Sequence, residues 1–155
     1  MDCPFCDPVN TGLREFYSDP LFRCVYNLRP LTPGHVLIIP KRHFISVFDL
    51  DPQEKIDLVS FTQRGVFLAL KYADSNQFDL ILQEGAGAGM SIGHFHIHVI
   101  PRKSSDNIAQ SKAEWISAFN ENEVHGRSLT LKETKEAVAK MKGLAARYRL
   151  RLQSF

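Results

Sequence analysis

The chain is short of most features that would reveal its class directly. It has three cysteines, Cys3, Cys6 and Cys24, in 155 residues, too few for the disulfide framework of a small secreted domain. No apolar run approaches the roughly 20 residues of a membrane-spanning helix. The opening Met-Asp-Cys-Pro-Phe-Cys carries neither a basic nor an apolar stretch, so no secretory leader is expected and the cytoplasm is the expected location. Charge of one sign is missing too. The formal net charge is +2, without the basic excess of a general nucleic-acid binder, and neither nucleic acid nor membrane is an expected partner. Internal repeats, low-complexity tracts and linkers are absent, and the length fits one domain over residues 1–155.

One stretch stands apart. Residues His94 to Arg102 read HFHIHVIPR, three histidines at every second position with Phe95, Ile97 and Val99 among them. Successive side chains of a strand point to opposite faces, so the alternation predicts one imidazole face and one apolar face. Pro101 has no N–H to donate and ends the pairing. The outer two imidazoles would lie about 13 Å apart along the backbone, wide for one ion and suited to an extended phosphate chain. Immediately before them runs Gly85-Ala-Gly-Ala-Gly89-Met-Ser-Ile-Gly93. Glycines let a backbone approach a ligand and turn N–H groups toward it, as phosphate oxygens require. The loop is neither a P-loop nor a dinucleotide fingerprint. Beside three aligned imidazoles, a phosphate loop is a better reading than a plain strand connection.

The rest of the chain reads as scaffold. Cys3-Pro-Phe-Cys6 has the spacing of half a tetrahedral zinc site. A redox dithiol would follow a strand and open a helix, and here Pro8, Asn10 and Gly12 suggest a loop instead. Two unremarkable thiols remain an alternative. Leu13–Tyr17 and Leu21–Tyr26 flank Ser18-Asp19-Pro20 as a hairpin, with Cys24 a small core residue. Arg29 to Gly34 is a turn, His35 to Pro40 a strand, and Lys41-Arg42-His43 a polar mouth. His43 is kept as a metal candidate because the cysteines need two more ligands. Asp51-Pro52-Gln53-Glu54 starts a helix that carries Ile56, Val59, Val66, Phe67 and Leu70 to about Tyr72. Phe78–Gln83 is a further strand, Lys103–Asn107 a loop, and Trp115 part of a short helical turn. Thr130-Leu-Lys-Glu133 opens a last helix to about Tyr148.

Imidazole titrates near neutral pH, so one strand can supply a nucleophile, a proton donor and an oriented partner. A neutral histidine attacking phosphorus gives a phosphoramidate that water then hydrolyses. Donors to the equatorial oxygens contribute the largest part of such catalysis. His96, with a histidine on each side, is the natural nucleophile. His98 is the donor to phosphate or leaving group, and His35, on another strand, is placed to fix a tautomer. Two other classes stay open: a metal-dependent hydrolase begun by a His-x-His pair, and a non-catalytic nucleotide- or metal-binding module.

His94-Phe-His96-Ile-His98-Val-Ile resembles the signature of the histidine-triad (HIT) family. Tyr26-Asn27 through Pro33-Gly34-His35-Val36-Leu37 resembles that family's early strand pair, and Gln83-Glu-Gly85 with Ala88-Gly89 its phosphate loop. His98-Val-Ile-Pro-Arg102 is most similar to the fragile-histidine-triad branch of dinucleoside polyphosphate hydrolases. The likeness runs from about Phe22 to Arg102.

The resemblance implies an α+β fold: a five-stranded antiparallel sheet with two main helices, dimerising into a continuous ten-stranded sheet. The core would span about residues 13–102, between an N-terminal zinc-stapled segment (1–12) and a C-terminal helical segment (103–155). It further implies a nucleotide hydrolase or transferase that cleaves a phosphoanhydride at a nucleoside monophosphate through a nucleotidyl-His96 intermediate. AMP-containing dinucleotides such as diadenosine tetraphosphate would be favoured, with a nucleoside phosphoramidase as the family alternative. Asn27 would hold a ribose hydroxyl and Gln83 a phosphate oxygen. Gly89, Met90, Ser91, Ile92 and His98 would line the phosphate. Met90 departs from the family's usual glutamine and cannot donate a hydrogen bond from its side chain. Members with an N-terminal Cys-x-x-Cys imply a structural zinc on Cys3, Cys6, His43 and His94, a closed set that leaves His96 and His98 for chemistry. No organic cofactor is expected.

Overall fold

The computed structural model describes residues 3–106, 108 and 112–155; Asn107, the end of the expected Lys103–Asn107 loop, lies outside them. Five strands, β1 (Glu15–Ser18), β2 (Phe22–Tyr26), β3 (Val36–Pro40), β4 (Gln77–Ile81) and β5 (Ile97–Arg102), form one sheet in the order β1-β2-β3-β5-β4. Every neighbouring pair is antiparallel. The helices are α1 (Pro8–Gly12), α2 (Pro52–Ala73), α3 (Lys112–His125), α4 (Leu131–Arg147) and α5 (Arg149–Leu152). No helix among the described residues is long and apolar enough to cross a membrane.

Local chemistry accounts for most of these elements. In the β1–β2 turn the Asp19 carboxylate accepts from the amides of Leu21 (2.8 Å) and Phe22 (2.7 Å). Between β2 and β3, Gly34 adopts φ +87°, and a Cβ there would lie 2.9 Å from the Ala69 carbonyl oxygen, so only glycine fits the turn. Both long capping boxes form. Asp51 caps α2 by accepting from Glu54 N at 2.8 Å while Glu54 accepts from Asp51 N at 2.9 Å. Thr130 and Glu133 do the same for α4.

Because alternate strand residues face opposite ways, the sheet has two different sides. Cys24, Tyr26, Val36, Ile38 and Val99 pack on Phe61 and Leu68 of α2 and on Val138 and Met141 of α4. The apolar stripe expected on α2 is corrected here. Ile56 and Val59 are exposed, whereas Phe61, Gly65, Leu68 and Ala69 are buried. Gly65 decides the rotation: a Cβ there would meet Ile38 and Cys24 at 3.1–3.2 Å, so the helix comes closest along that line. On the other side of the sheet, Val25, Leu37 and Ile39 pack on Phe5.

Three further expectations change. Pro8–Gly12, expected as a loop, is the short helix α1, because Asp7 caps it and Pro8 suits its first turn. The histidine stretch is not one continuous strand: β5 begins at Ile97, and Phe95 N donates instead to the Phe44 carbonyl at 2.7 Å. Phe95 joins Phe44 and Leu50 in a small separate cluster. Only His98 of the three histidines lies within the ladder, opposite Leu37 of β3. The short helical turn expected at Trp115 is instead the whole of α3, a third long helix. Of its apolar residues Ile116 and Val124 are exposed, and among the described side chains only Phe119 is fully buried, so no broad stripe announced it. It is fastened by specific contacts: the Arg102 guanidinium lies 4.0 Å over the Trp115 ring, and Asn122 Nδ2 donates to the Arg29 carbonyl at 2.8 Å.

Candidate active site and metal centre

The N-terminal turn brings the two thiols together. Cys6 N and Asp7 N both donate to the Cys3 carbonyl, and the Asp7 carboxylate then caps α1 through Val9 N. His43 follows β3 and His94 precedes β5. Their ligand atoms converge: Cys3 Sγ to His94 Nδ1 3.4 Å, Cys6 Sγ to His43 Nδ1 3.4 Å, Cys6 Sγ to His94 Nδ1 3.6 Å, and His43 Nδ1 to His94 Nδ1 3.2 Å. All four lie within 4.8 Å of one another. The metal–ligand lengths of a tetrahedral Cys₂His₂ zinc site imply ligand–ligand edges of about 3.3–3.8 Å, so the donor set suits such an ion. The Nε2 of His94 lies 3.1 Å from the Pro40 carbonyl. A carbonyl only accepts, so this nitrogen carries the proton and leaves Nδ1 free as a ligand.

The other two triad histidines share a different environment. His96 Nδ1 donates to the His94 carbonyl at 2.7 Å, which leaves the lone pair on Nε2. Burial pulls its pKa below the ordinary histidine value, so the ring is neutral at pH 7. The tautomer of His98 follows from a chain of contacts. Leu31 N–H donates to His35 Nδ1 at 3.1 Å, so His35 Nε2 carries a proton. That nitrogen is 3.0 Å from His98 Nδ1, which accepts, so the outer Nε2 of His98 carries a proton. His96 and His98 stand side by side with ring centroids 5.0 Å apart. One presents a lone pair and its neighbour a donor.

Both rings line a cavity of about 300 Å³ together with Asn27, Ser91 and Ile92. Gln83, Gly89 and Met90 are not in its lining. Gln83 Nε2 donates to Asn120 Oδ1 at 3.1 Å. The amides of Gly89 and Met90 donate within their own loop, to the carbonyls of Ala86 and Gly85. The loop therefore does not offer all its N–H groups outward, because Gly85 and Gly89, both at positive φ, close it into a turn.

Several residues of the site carried no sequence signal. Helix α3 places Phe119 edge-on against His98 (4.9 Å between centroids) and Glu123 into the cavity lining. The Glu123 carboxylate accepts from Asn27 Nδ2 at 3.3 Å and stands 3.9 Å from His98 Nε2. Burial raises its pKa, with the Asn27 bond and Arg29 opposing. Arg29 Nη1 donates to the Glu123 carbonyl at 2.7 Å and ties the helix to the β2–β3 turn. A glutamate in a polar helix, 25 positions after the triad, has nothing in its neighbourhood to distinguish it.

A sheet protein with a buried histidine pair beside a Cys₂His₂ cluster defines the class, and comparison with known proteins agrees. The family model described as HIT domain matches residues 13–105, and the chain belongs to that family. It is 29% identical over 149 residues to an uncharacterized HIT-like protein of Mycobacterium tuberculosis, covering 94% of this chain and 99% of that one. Over 100 residues it is 37% identical to the bifunctional bis(5'-adenosyl)-triphosphatase/adenylylsulfatase FHIT of Arabidopsis thaliana, covering 64% of this chain and 56% of the relative. The chain thus spans little more than half of that enzyme's length. In fold it is similar to a Zn-bound histidine triad family protein from Mycobacterium smegmatis, with TM-score 0.72, 22% identity and coverage of 97% and 98%.

Burial of His35 has a measurable consequence. It lowers the pKa to about 3, against about 6.5 in the unfolded chain. Between those values the unfolded state binds a proton that the folded state refuses, so stability falls as pH falls below about 6.5. His35→Gln should flatten that decline by up to about 1.4 kcal/mol per pH unit. Denaturant midpoints of both proteins from pH 7 to pH 4 measure it, and parallel curves would contradict the assignment.

Proposed function

We propose that this protein is a nucleotide hydrolase or transferase that breaks a phosphoanhydride at a nucleoside monophosphate, with dinucleoside polyphosphates as favoured substrates. The observation that carries the reading is the pairing of an unprotonated His96 Nε2 with a protonated His98 Nε2 on one cavity wall. In this reading His96 Nε2 attacks the α-phosphorus, the P–O bond to the leaving polyphosphate breaks, and His98 hydrogen-bonds the departing oxygen. Water then attacks the phosphorus of nucleotidyl-His96, the P–N bond breaks, and nucleoside monophosphate leaves. Asn27 holds a ribose hydroxyl and Gln83 a phosphate oxygen once its bond to Asn120 opens. With the Gly89 and Met90 amides engaged in their own loop, Ser91, Ile92 and His98 do most of the phosphate holding. The same attack accommodates other leaving groups on an adenylyl phosphorus; the Arabidopsis relative is named for two activities of that kind.

A zinc ion on Cys3, Cys6, His43 and His94 belongs to this reading as structure. When bound, it fills all four positions of a closed set and fastens the N-terminal segment to the residue whose carbonyl orients His96. This role supports histidine chemistry over a metal-dependent hydrolase. We also infer a homodimer. The edge strand β4 and the residue after it expose Phe78, Leu80 and Leu82 at alternate positions, 43–46% accessible, and an edge of that kind invites antiparallel pairing with a second copy.

Three outcomes follow. His96→Ala should abolish turnover of diadenosine tetraphosphate with nucleotide affinity still measurable. Mass spectrometry of the wild type, quenched in base because phosphoramidates are acid-labile, should find one nucleotidyl group per chain, and an active His96→Ala protein would refute the mechanism. Metal analysis should give one zinc per chain. Its removal by a chelator should lower Tm by about 2–4 °C for each kcal/mol lost, with a smaller proportional change in kcat of the protein still folded; unchanged Tm would contradict the role. Leu80→Lys should turn a dimer into a monomer by light scattering, while its circular dichroism stays that of the wild type.

A further inference from the structure

The proposed chemistry leaves one cation in the cavity unexplained. Arg14, only 5% exposed, lines the same space as His96 and His98. Its Nε donates to the Asn10 carbonyl at 3.2 Å. Its two Nη groups have no protein partner among the described residues. Burial pulls its pKa down, and no carboxylate among the described residues forms an ion pair with it. Other arginines are treated differently: Arg42 meets Glu54, Arg64 meets Asp19 and chain carbonyls, and Arg102 meets Asp79 and Asp106. A largely buried guanidinium without a counter-group among the described residues is costly, and Arg14 lines the cavity in which a ligand would supply acceptors.

Position narrows what those acceptors are. Arg14 immediately precedes β1, and its carbonyl accepts from Tyr26 N at 3.0 Å, beside the end of β2. His98 is on β5, with Leu37 of β3 between. Neighbouring strands are about 4.8 Å apart, so the backbones at the two ends of the cavity are separated by roughly three strand spacings, part of which the long Arg14 side chain spans. A nucleoside monophosphate whose phosphorus lies against His96 and whose ribose lies at Asn27 extends its base toward the Arg14 end, past Phe5 and Leu37. This step rests on the nucleotide reading above. An arginine fork presents two parallel N–H donors, and guanine and hypoxanthine present O6 and N7 as two adjacent acceptors. Adenine places an amino donor where O6 would be and meets donor with donor.

We propose that Arg14 reads the base, and that the cavity takes 6-oxopurine nucleotides in preference to adenosine nucleotides. A phosphate would also match the fork, so the test separates the two sources. Calorimetric binding of GMP, IMP, AMP and CMP to the full chain decides it. The wild type should bind GMP and IMP about tenfold or more tighter than AMP. Arg14→Gln should bring the GMP-to-AMP ratio close to one. Arg14→Lys, which keeps the charge without the fork, should lower it as well. Equal wild-type affinities for GMP and AMP overturn the proposal. So does an equal loss for every nucleotide in the variants, the mark of a phosphate contact. The wild-type panel stands even if a variant fails to fold. A trapped nucleotidyl-His96 without base discrimination sinks this inference and spares the mechanism. Base discrimination without a trapped intermediate does the reverse.

Discussion

A single 2.7 Å hydrogen bond from His96 Nδ1 to the backbone carbonyl of His94 links the two chemical parts of this molecule. It sets the tautomer of His96 and so decides which nitrogen has a lone pair to offer. It also makes the orientation of that ring depend on where the His94 backbone lies. That backbone is held by Nε2 of its own side chain on the Pro40 carbonyl and by the approach of Nδ1 to Cys3, Cys6 and His43. The metal-type cluster and the histidine pair are therefore neighbours by construction: one residue contributes its side chain to the first and its main chain to the second.

The fold makes room for this by dividing labour between the sheet's two sides. One side is sealed by α2 and α4 over an apolar core. The other holds imidazoles, two arginines and a glutamate around a cavity of about 300 Å³. Buried polar groups are tolerated only when their partners are built in. Here the Leu31 amide, His35 and His98 form one such chain, and Asn27 with Glu123 forms another. Helix α3 matters more than its modest apolar content suggests, since Phe119 supports His98 and Glu123 reaches into the cavity.

Much of the scaffold was readable because its causes are local. The boxes at Asp51 and Thr130, the Asp19 turn and the Gly34 turn each involve groups a few positions apart, and all formed as read. Failures came where neighbours in space override pattern. The buried face of α2 departs from its apolar stripe because the close approach at Gly65, and not the count of apolar residues, sets it. The histidine alternation suggested one long strand, but Phe95 is drawn to the Phe44 carbonyl and its own cluster before the ladder begins. The glycine loop suggested outward amides, yet two of them close the loop on itself.

The sequence by itself determined the strand order, the two capped helices α2 and α4, the histidine and cysteine part of the site and the family, because periodicity, capping and motif spacing act over short stretches of chain. Only the tertiary structure decided which groups meet. Cys3 reaches His94 across 91 positions, and Asn27 reaches Glu123 across 96. Contacts of that span arise from how the sheet and α3 pack, and no pattern in a linear neighbourhood encodes their distance. For the same reason Arg14 is an ordinary arginine in the sequence, and only the fold makes it a largely buried cation without an ion-pair partner among the described residues.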